Sequence, residues 1–306
     1  FYSDMYKIRR FEQEVFEFYK TGQMAGLAHL YIGEEAVAAG ACAAIEARDY
    51  IASTHRGHGH LVARGADMCR MMAESLGKET GYSKGKGGSM HIMAMDLGIL
   101  GANGIVGGGI PMATGAGYSA KYRGTDQVTL CFFGDGAANE GTFHESINMA
   151  AAWDLPVVYV IENNLYGITV DSRRVTKEHD LAKRAIGYGI PGYTIDGNDV
   201  ETVYKTMQKA VKHAREGKGP SIVECKTYRH HGHNGSDPGT YRPPEEVEAW
   251  KARDPLILFR DKGYLTEKER KEIEDKVEQE VQAACKFAAE SPYPEASELM
   301  DDIFCD

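Results

Sequence analysis

The chain has 306 residues, is 42% hydrophobic and 26% charged, and carries a net charge of −10. That is the make-up of one large α/β domain or two small ones. The acidic balance argues against a nucleic-acid or anionic-membrane partner, and no apolar run approaches the length of a membrane span. The six cysteines (Cys42, Cys69, Cys131, Cys225, Cys285, Cys305) contain no C-x-x-C pair. They point to reduced, mostly buried thiols and a cytoplasmic setting.

Phe1-Tyr2-Ser3-Asp4 is neither a signal nor a transit peptide. It reads as if cut into a helix, so residues are expected before it. Ser3 is the predicted cap of a first helix with Met5, Ile8, Phe11, Val15 and Phe18 on one face and Gly22 at its end. Residues 34–47 are Ala-rich and predict a second helix. Residues 51–60, rich in glycine and histidine, are expected to be irregular, and residues 83–109 to form a long, shaped loop. Residues 111–122 return to helix.

Val128 to Phe133 is a continuous apolar run, the mark of a strand buried on both faces. A turn at Gly134, a helix from about Thr142 to Trp153 and a second buried strand from Val157 to Ile161 complete a βαβ unit. Its strands should be parallel, with a right-handed crossover. Ser221 to Thr227 predicts another strand, preceded by a helix from Val200 to Arg215. Residues 229–244 read as a long polar loop. Thr266 and Glu269 form a capping box for a last helix, with Ile273, Val277, Val281 and Ala284 as its apolar stripe and Pro292 beyond its end.

Gly134-Asp135-Gly136-Ala137-Ala138-Asn139 fits a dinucleotide-binding turn badly. The third glycine position is Asn139. Asp135 also puts a carboxylate where a pyrophosphate would approach a helix start. Two anions in contact need a cation between them, and magnesium, held by one or two protein oxygens plus phosphate oxygens, suits the arrangement. Gly136 and Ala137 would then offer backbone N–H groups to the phosphate. The second strand runs out through Glu162-Asn163-Asn164-Leu165-Tyr166-Gly167. Ligands of open parallel sheets sit at such strand ends, so Asp135 and Asn164 should be neighbours. The asparagines alone would be no more than a turn. Three histidines in four positions (His230, His231, His233) also suggest zinc, but no cysteine or acidic partner has ligand spacing.

The Gly-Asp-Gly turn followed by a double asparagine resembles the thiamine diphosphate motif. Further segments resemble the alpha subunit of the decarboxylating component of 2-oxo acid dehydrogenase complexes. They are His29-Leu30-Tyr31-Ile32-Gly33-Glu34-Glu35-Ala36, Gly85-Lys86-Gly87-Gly88-Ser89-Met90-His91, Asn103-Gly104-Ile105-Val106-Gly107 and Tyr228-Arg229-His230-His231-Gly232-His233. Ser236-Asp237-Pro238-Gly239 and Tyr241-Arg242 follow, and the match runs in the family's order from about residue 5 to 300.

The resemblance implies a single thiamine-diphosphate-binding α/β domain over residues 1–306. Its mostly parallel central sheet is flanked by helices, and a helical C-terminal arm includes residues 266–290. It implies Asp135, the Asn164 side chain and the Tyr166 carbonyl as magnesium ligands. His55 and Arg56 would meet the cofactor, Arg56 at its diphosphate. Gly104 and Val106 would hold the aminopyrimidine ring through backbone groups, and His233 would be the catalytic histidine near the reacting end. The reaction implied is cleavage of a carbon–carbon bond next to a carbonyl, with the acyl unit passed to a lipoyl-bearing acyltransferase core protein. The glutamate that activates the aminopyrimidine lies on a separate beta subunit in alpha-type chains, so an α2β2 assembly with a shared site is expected. Glu34 and Glu35 are read as ordinary acidic residues at a helix start.

His55 stands where pyruvate and branched-chain types carry an aromatic residue. Together with the three glycines of 107–109 it favours an acetoin-type chain over pyruvate or branched-chain 2-oxo acid types. Asn234 replaces the regulatory phosphoserine of the mammalian pyruvate enzyme. Two other readings compete. One is a nicotinamide-dependent Rossmann dehydrogenase with Glu162 on the ribose. The other is a non-catalytic partner that only orders a beta subunit.

Overall fold

The computed structural model describes residues 1–24, 26–301 and 303. Cys305 lies outside them. Helix α1 (Tyr2–Lys20) is capped by Phe1, which leaves Ser3 inside the first turn. Gly22, at φ +72°, follows the helix end as expected. The second helix, α2 (Glu35–Ala43), is shorter than its Ala-rich stretch. Strand β1 (Tyr50–Ala52), α3 (His58–Ala63), α4 (Met68–Ser75), β2 (Ile99–Gly101) and α5 (Gly109–Arg123) follow.

The expected irregularity of 51–60 is corrected: that stretch holds part of β1 and the start of α3. Packing overrides propensity there. Strand β1 is hydrogen-bonded between β2 and the next strand of the sheet. In α3, Gly59 lies so close to the Tyr31 ring that a Cβ would collide with it.

The βαβ unit forms as read: β3 (Thr129–Gly134), α6 (Gly141–Ala152) and β4 (Val157–Asn163), with β3 and β4 parallel. A short hairpin of β5 (Tyr166–Gly167) and β6 (Val170–Asp171) leaves the end of β4. Helix α7 (Ser172–Val175), β7 (Gly192–Asp196), α8 (Val200–Arg215) and β8 (Ser221–Lys226) follow. The chain closes with α9 (Pro244–Lys251), α10 (Pro255–Asp261) and α11 (Glu267–Glu290). The main sheet has order β2-β1-β3-β4-β8-β7 with all its pairings parallel. β7 is an edge strand with a half-exposed face, so it lacks the apolar run that marks β3 and β4.

Alternation along the buried strands builds two cores. Leu130, Phe132, Val158, Val160 and Val223 face the layer of α1 to α4, α8 and α11. Cys131, Phe133, Val157, Tyr159 and Ile161 face α5, α6 and the helical turn Leu181–Tyr188. Each such side chain contributes roughly 1.5–3 kcal/mol by burial. The capping box forms: Thr266 Oγ1 accepts from the Glu269 N–H at 3.2 Å, and Glu269 Oε2 from the Thr266 N–H at 2.9 Å. The C-terminal helical arm is docked on the domain. Val281, Ala284 and Ala288 are buried, and Arg10 of α1 pairs with Glu278 at 2.7 Å. Ile273 is only half-buried. The five described cysteines are free.

Candidate active site

A cavity of about 320 Å³ opens at the carboxyl ends of β3 and β4. Parallel strands place it there: their ends carry loops instead of further ladder, so polar side chains collect. Register pairs Gly134 with Glu162, so Asp135 and Asn164 emerge side by side. The backbone N–H groups of Asp135 and Asn164 favour the charged form of the Asp135 carboxylate. Both side chains are buried, and both carry an oxygen with no hydrogen-bond partner, Asp135 Oδ2 and Asn164 Oδ1. Asn164 Nδ2 donates to Glu34 Oε1 at 2.9 Å, which turns its oxygen the other way. Buried oxygens left unpaired are costly in a protein interior. Two hard oxygens, one of them a carboxylate, fit magnesium. Burial raises the Asp135 carboxyl to about 6, opposed by the Arg229 charge.

The Tyr166 carbonyl is also here, but it accepts from Arg229 Nη2 at 3.2 Å, as does the carbonyl of Ile168. A carbonyl has two lone pairs, so a cation there would share Tyr166 with the guanidinium. Ile168 is β-branched yet sits at φ +54°, a strained conformation of the kind that clusters at ligand sites. It lines the cavity, as do Gly136 and Ala137. Ala137 opens a single helical turn, Ala137–Asn139, ahead of α6.

Arg56 is buried. Its Nη1 donates to the Leu30 carbonyl at 2.6 Å and its Nη2 to the His233 carbonyl at 3.0 Å. Its Nε stands 3.7 Å from Glu34. Burial, and next the Arg229 charge, lower Arg56 to about 10, still a cation at neutral pH. Arg229 is only 2% exposed, and its Nε has no partner. Two buried guanidiniums around one cavity favour an anion with several oxygens.

His29, His55 and His233 converge, with one ring nitrogen of each within 4.8 Å of the others. Burial, then Arg56, lower them to about 4, 2 and 3 in that order, so all are neutral at pH 7. His29 Nδ1 faces the His233 carbonyl at 3.0 Å, and a carbonyl only accepts, so that nitrogen carries the proton. His233 Nδ1 lies 3.2 Å from Arg229 Nη1 and must accept. The sequence-adjacent histidines do not join them. His230 lies 3.6 Å from Asp254, and His231 packs edge-on to Phe16. Within the 229–244 loop, the Asp237 carboxylate accepts from the N–H groups of His233 and Gly239 and from the Tyr241 hydroxyl.

Of the expected site residues, His55, Arg56, Val106, Asp135, Gly136, Ala137, Asn164, Tyr166 and His233 line the cavity. Gly104 is not on its wall but sits between the lining residues Asn103 and Ile105. Glu34 and Glu35 do stand at the start of α2, at its N-cap and in its first turn, but they are not ordinary solvated acids. Both are fully buried, Glu35 paired with Arg9 at 2.5 Å and Glu34 against Asn164 and Arg56. Burial, and next the Glu162 charge, raise Glu34 to about 8. Glu162 lines the cavity, and its Oε1 accepts from the Tyr31 hydroxyl and meets His60 Nε2 at 2.9 Å. His29, Arg229 and Glu34 lie inside segments the sequence marks. Only the fold shows that they face one another.

The family profile described as the dehydrogenase E1 component matches residues 3–297. The chain is 48% identical to the alpha subunit of an acetoin:2,6-dichlorophenolindophenol oxidoreductase from Bacillus subtilis, over 99% of this chain and 92% of that one. It is 43% identical to a pyruvate dehydrogenase E1 component subunit alpha from Rhizobium meliloti, over 99% and 88%. It is 42% identical to one of the same description from Rickettsia felis, over 99% and 94%.

Proposed function

The chain belongs to the dehydrogenase E1 component family, and on that footing we propose that it is the alpha subunit of a thiamine-diphosphate-dependent oxidoreductase acting on acetoin. The observation that carries the reading is the pair of buried, unpartnered oxygens on Asp135 and Asn164 beside two buried guanidiniums. The oxygens hold magnesium, together with the Tyr166 carbonyl. Arg56 and the N–H groups of Gly136 and Ala137 hold the diphosphate. Gly104 and Val106 meet the aminopyrimidine through their backbone. When bound, the cofactor supplies the carbanion chemistry that breaks a carbon–carbon bond next to a carbonyl.

The chain's own residues bind, orient and exclude water. His55 and His233 stand at the reacting end, with His233 as the catalytic histidine. Because Nδ1 of His233 accepts from Arg229, its Nε2 carries the proton and can donate to a substrate oxygen. Imidazoles held neutral offer hydrogen bonds without counter-charge. That suits uncharged acetoin better than a carboxylate substrate, and the relative with the acetoin description agrees in type. Pyruvate is the second reading, supported by the relatives of that description.

Met112, Tyr118 and Tyr122 of α5, with Met149 and Trp153 at α6, leave an exposed apolar face beside exposed Ile105 and Val106. Such a face marks a protein contact, here with the beta subunit in an α2β2 assembly that completes the site. A lipoyl-bearing core protein receives the acyl unit, all in the cytoplasm and within one domain of this chain. No helix among the described residues is long and apolar enough to cross a membrane. Co-expression with the adjacent beta-subunit gene, followed by artificial-acceptor assays, tests the proposal. Magnesium- and thiamine-diphosphate-dependent turnover with acetoin exceeding that with pyruvate and branched-chain 2-oxo acids is expected. Turnover that ignores the cofactor overturns the reading.

A further inference from the structure

The glycine-rich segment 83–91 is tied down by one buried carboxylate. Glu74, at the end of α4, is fully buried. Its Oε2 accepts from the N–H groups of Ser83 at 2.8 Å and Gly85 at 2.9 Å. Its Oε1 accepts from Gly87 at 2.8 Å and Gly88 at 3.0 Å. The charge is met by four backbone dipoles converging from one loop. The glycines permit the wrap: Gly85 and Gly88 sit at φ +75° and +65°, and a Cβ on Gly81 would collide with the Glu74 carboxylate.

The loop hands its geometry on through His91. Its Nδ1 faces the Gly87 carbonyl at 3.2 Å, which can only accept, so Nδ1 carries the proton. Nε2 is therefore the acceptor, and the Gly104 N–H donates to it at 3.3 Å. A Cβ on Gly104 would come within 2.9 Å of that nitrogen. With its N–H taken, the hydrogen-bonding group that residue still offers a ligand is its carbonyl. Gly104 is flanked by Asn103 and Ile105 on the cavity wall, and the Asn103 Oδ1 closes the turn by accepting from the Ile105 N–H at 2.9 Å.

We propose that Glu74 and His91 are positioning residues that fix the Gly104 peptide for the ring end of the cofactor, independently of the metal and diphosphate end. The inference rests on the thiamine diphosphate reading and adds to it how this chain aims its ring-binding backbone. Neither residue touches the reacting atoms. Glu74 sets the loop, and His91 converts the loop's position into the orientation of one peptide.

The test uses the complex with the beta subunit and two ligands, each with magnesium: thiamine diphosphate and inorganic pyrophosphate, which has no ring. Calorimetry on His91→Phe should show thiamine diphosphate weakened about tenfold, the loss of one or two hydrogen bonds. Pyrophosphate should stay within about twofold of wild type. His91→Gln, whose amide can donate to Gly87 and accept from Gly104, should recover most of the loss. Equal affinity of His91→Phe and wild type for thiamine diphosphate overturns the inference. So does a parallel loss of pyrophosphate, or a His91→Gln as weak as His91→Phe. A wild-type complex that binds pyrophosphate but not thiamine diphosphate sinks the functional reading itself, and this inference with it.

Discussion

Asp135 and Glu74 are both buried carboxylates at the ends of regular elements, and they are opposites. Glu74 has four backbone donors and no oxygen unpaired. Asp135 keeps one oxygen without a partner, next to an Asn164 oxygen in the same condition. A protein meets the hydrogen-bonding demand of a carboxylate that serves its architecture. At Asp135 and Asn164, which line the cavity, the unmet lone pairs fit a ligand that brings positive charge. The same contrast separates the two ends of the proposed cofactor site. The proposed metal end is built on β3 and β4, whose backbones are locked in the sheet. The proposed ring end hangs on loops that Glu74 and His91 hold by hydrogen bonds.

The largest effect should come from Asp135→Asn. Magnesium-dependent thiamine diphosphate binding by calorimetry should fall by more than the roughly 10–100-fold typical of changes one layer out from a metal. The same variant should stabilise the ligand-free chain. Burial lifts the Asp135 carboxyl from its ordinary 3.8 to about 6, so the folded form holds the proton more tightly than the unfolded chain. That contribution is fully present below pH 3.8 and is lost as pH rises through 6. At pH 7 the ionised group then costs up to roughly 3 kcal/mol. Thermal melts of Asp135→Asn should show a raised Tm at pH 7 and a flatter profile between pH 4 and 7. An unchanged Tm would place Asp135 with Glu74 on the satisfied side.

Glu74→Gln should act in the reverse sense. An amide nitrogen facing two N–H donors leaves them unsatisfied, at a cost of roughly 2 kcal/mol or more. Urea melts should show it, while magnesium pyrophosphate binding to the folded fraction stays near wild type. Third in size is Arg56→Lys, which keeps the charge but loses the fork. Diphosphate affinity should drop about tenfold, equivalent to one charged hydrogen bond, and titration at two salt concentrations would read it. The smallest is Thr266→Ala, far from either end. Loss of its cap should cost about 1 kcal/mol of stability without moving cofactor affinity, which sets the baseline against which the others are judged.

How much was legible in advance follows the kind of interaction each segment uses. Strands β3 and β4 are buried on both faces, so their apolar runs were visible, and Asp135 in the turn after β3 already pointed to a cation beside any bound phosphate. The capping box of α11 is a local pairing three residues apart and was equally plain. The stretch 51–60 misled because its helix and strand exist through long-range partners: β2 and β3 beside β1, Glu162 on His60, and Glu12 on His58. Glu34 looked like an ordinary helix-start acid because its partners, Asn164 and Arg56, lie far along the chain. Of the histidines adjacent in sequence, only His233 joins His29 and His55, which the chain order alone does not show.

Periodicity, capping and turn chemistry are local, so the order of residues alone determined the βαβ unit and the last helix, and set Asp135 in a turn where a bound phosphate would need a cation beside it. Burial and hydrogen-bond completion depend on every neighbour in space. Only the packed sheet and its crossing loops could decide that Glu74 is satisfied while Asp135 is not, and that His29 meets His55 and His233, which line the cavity.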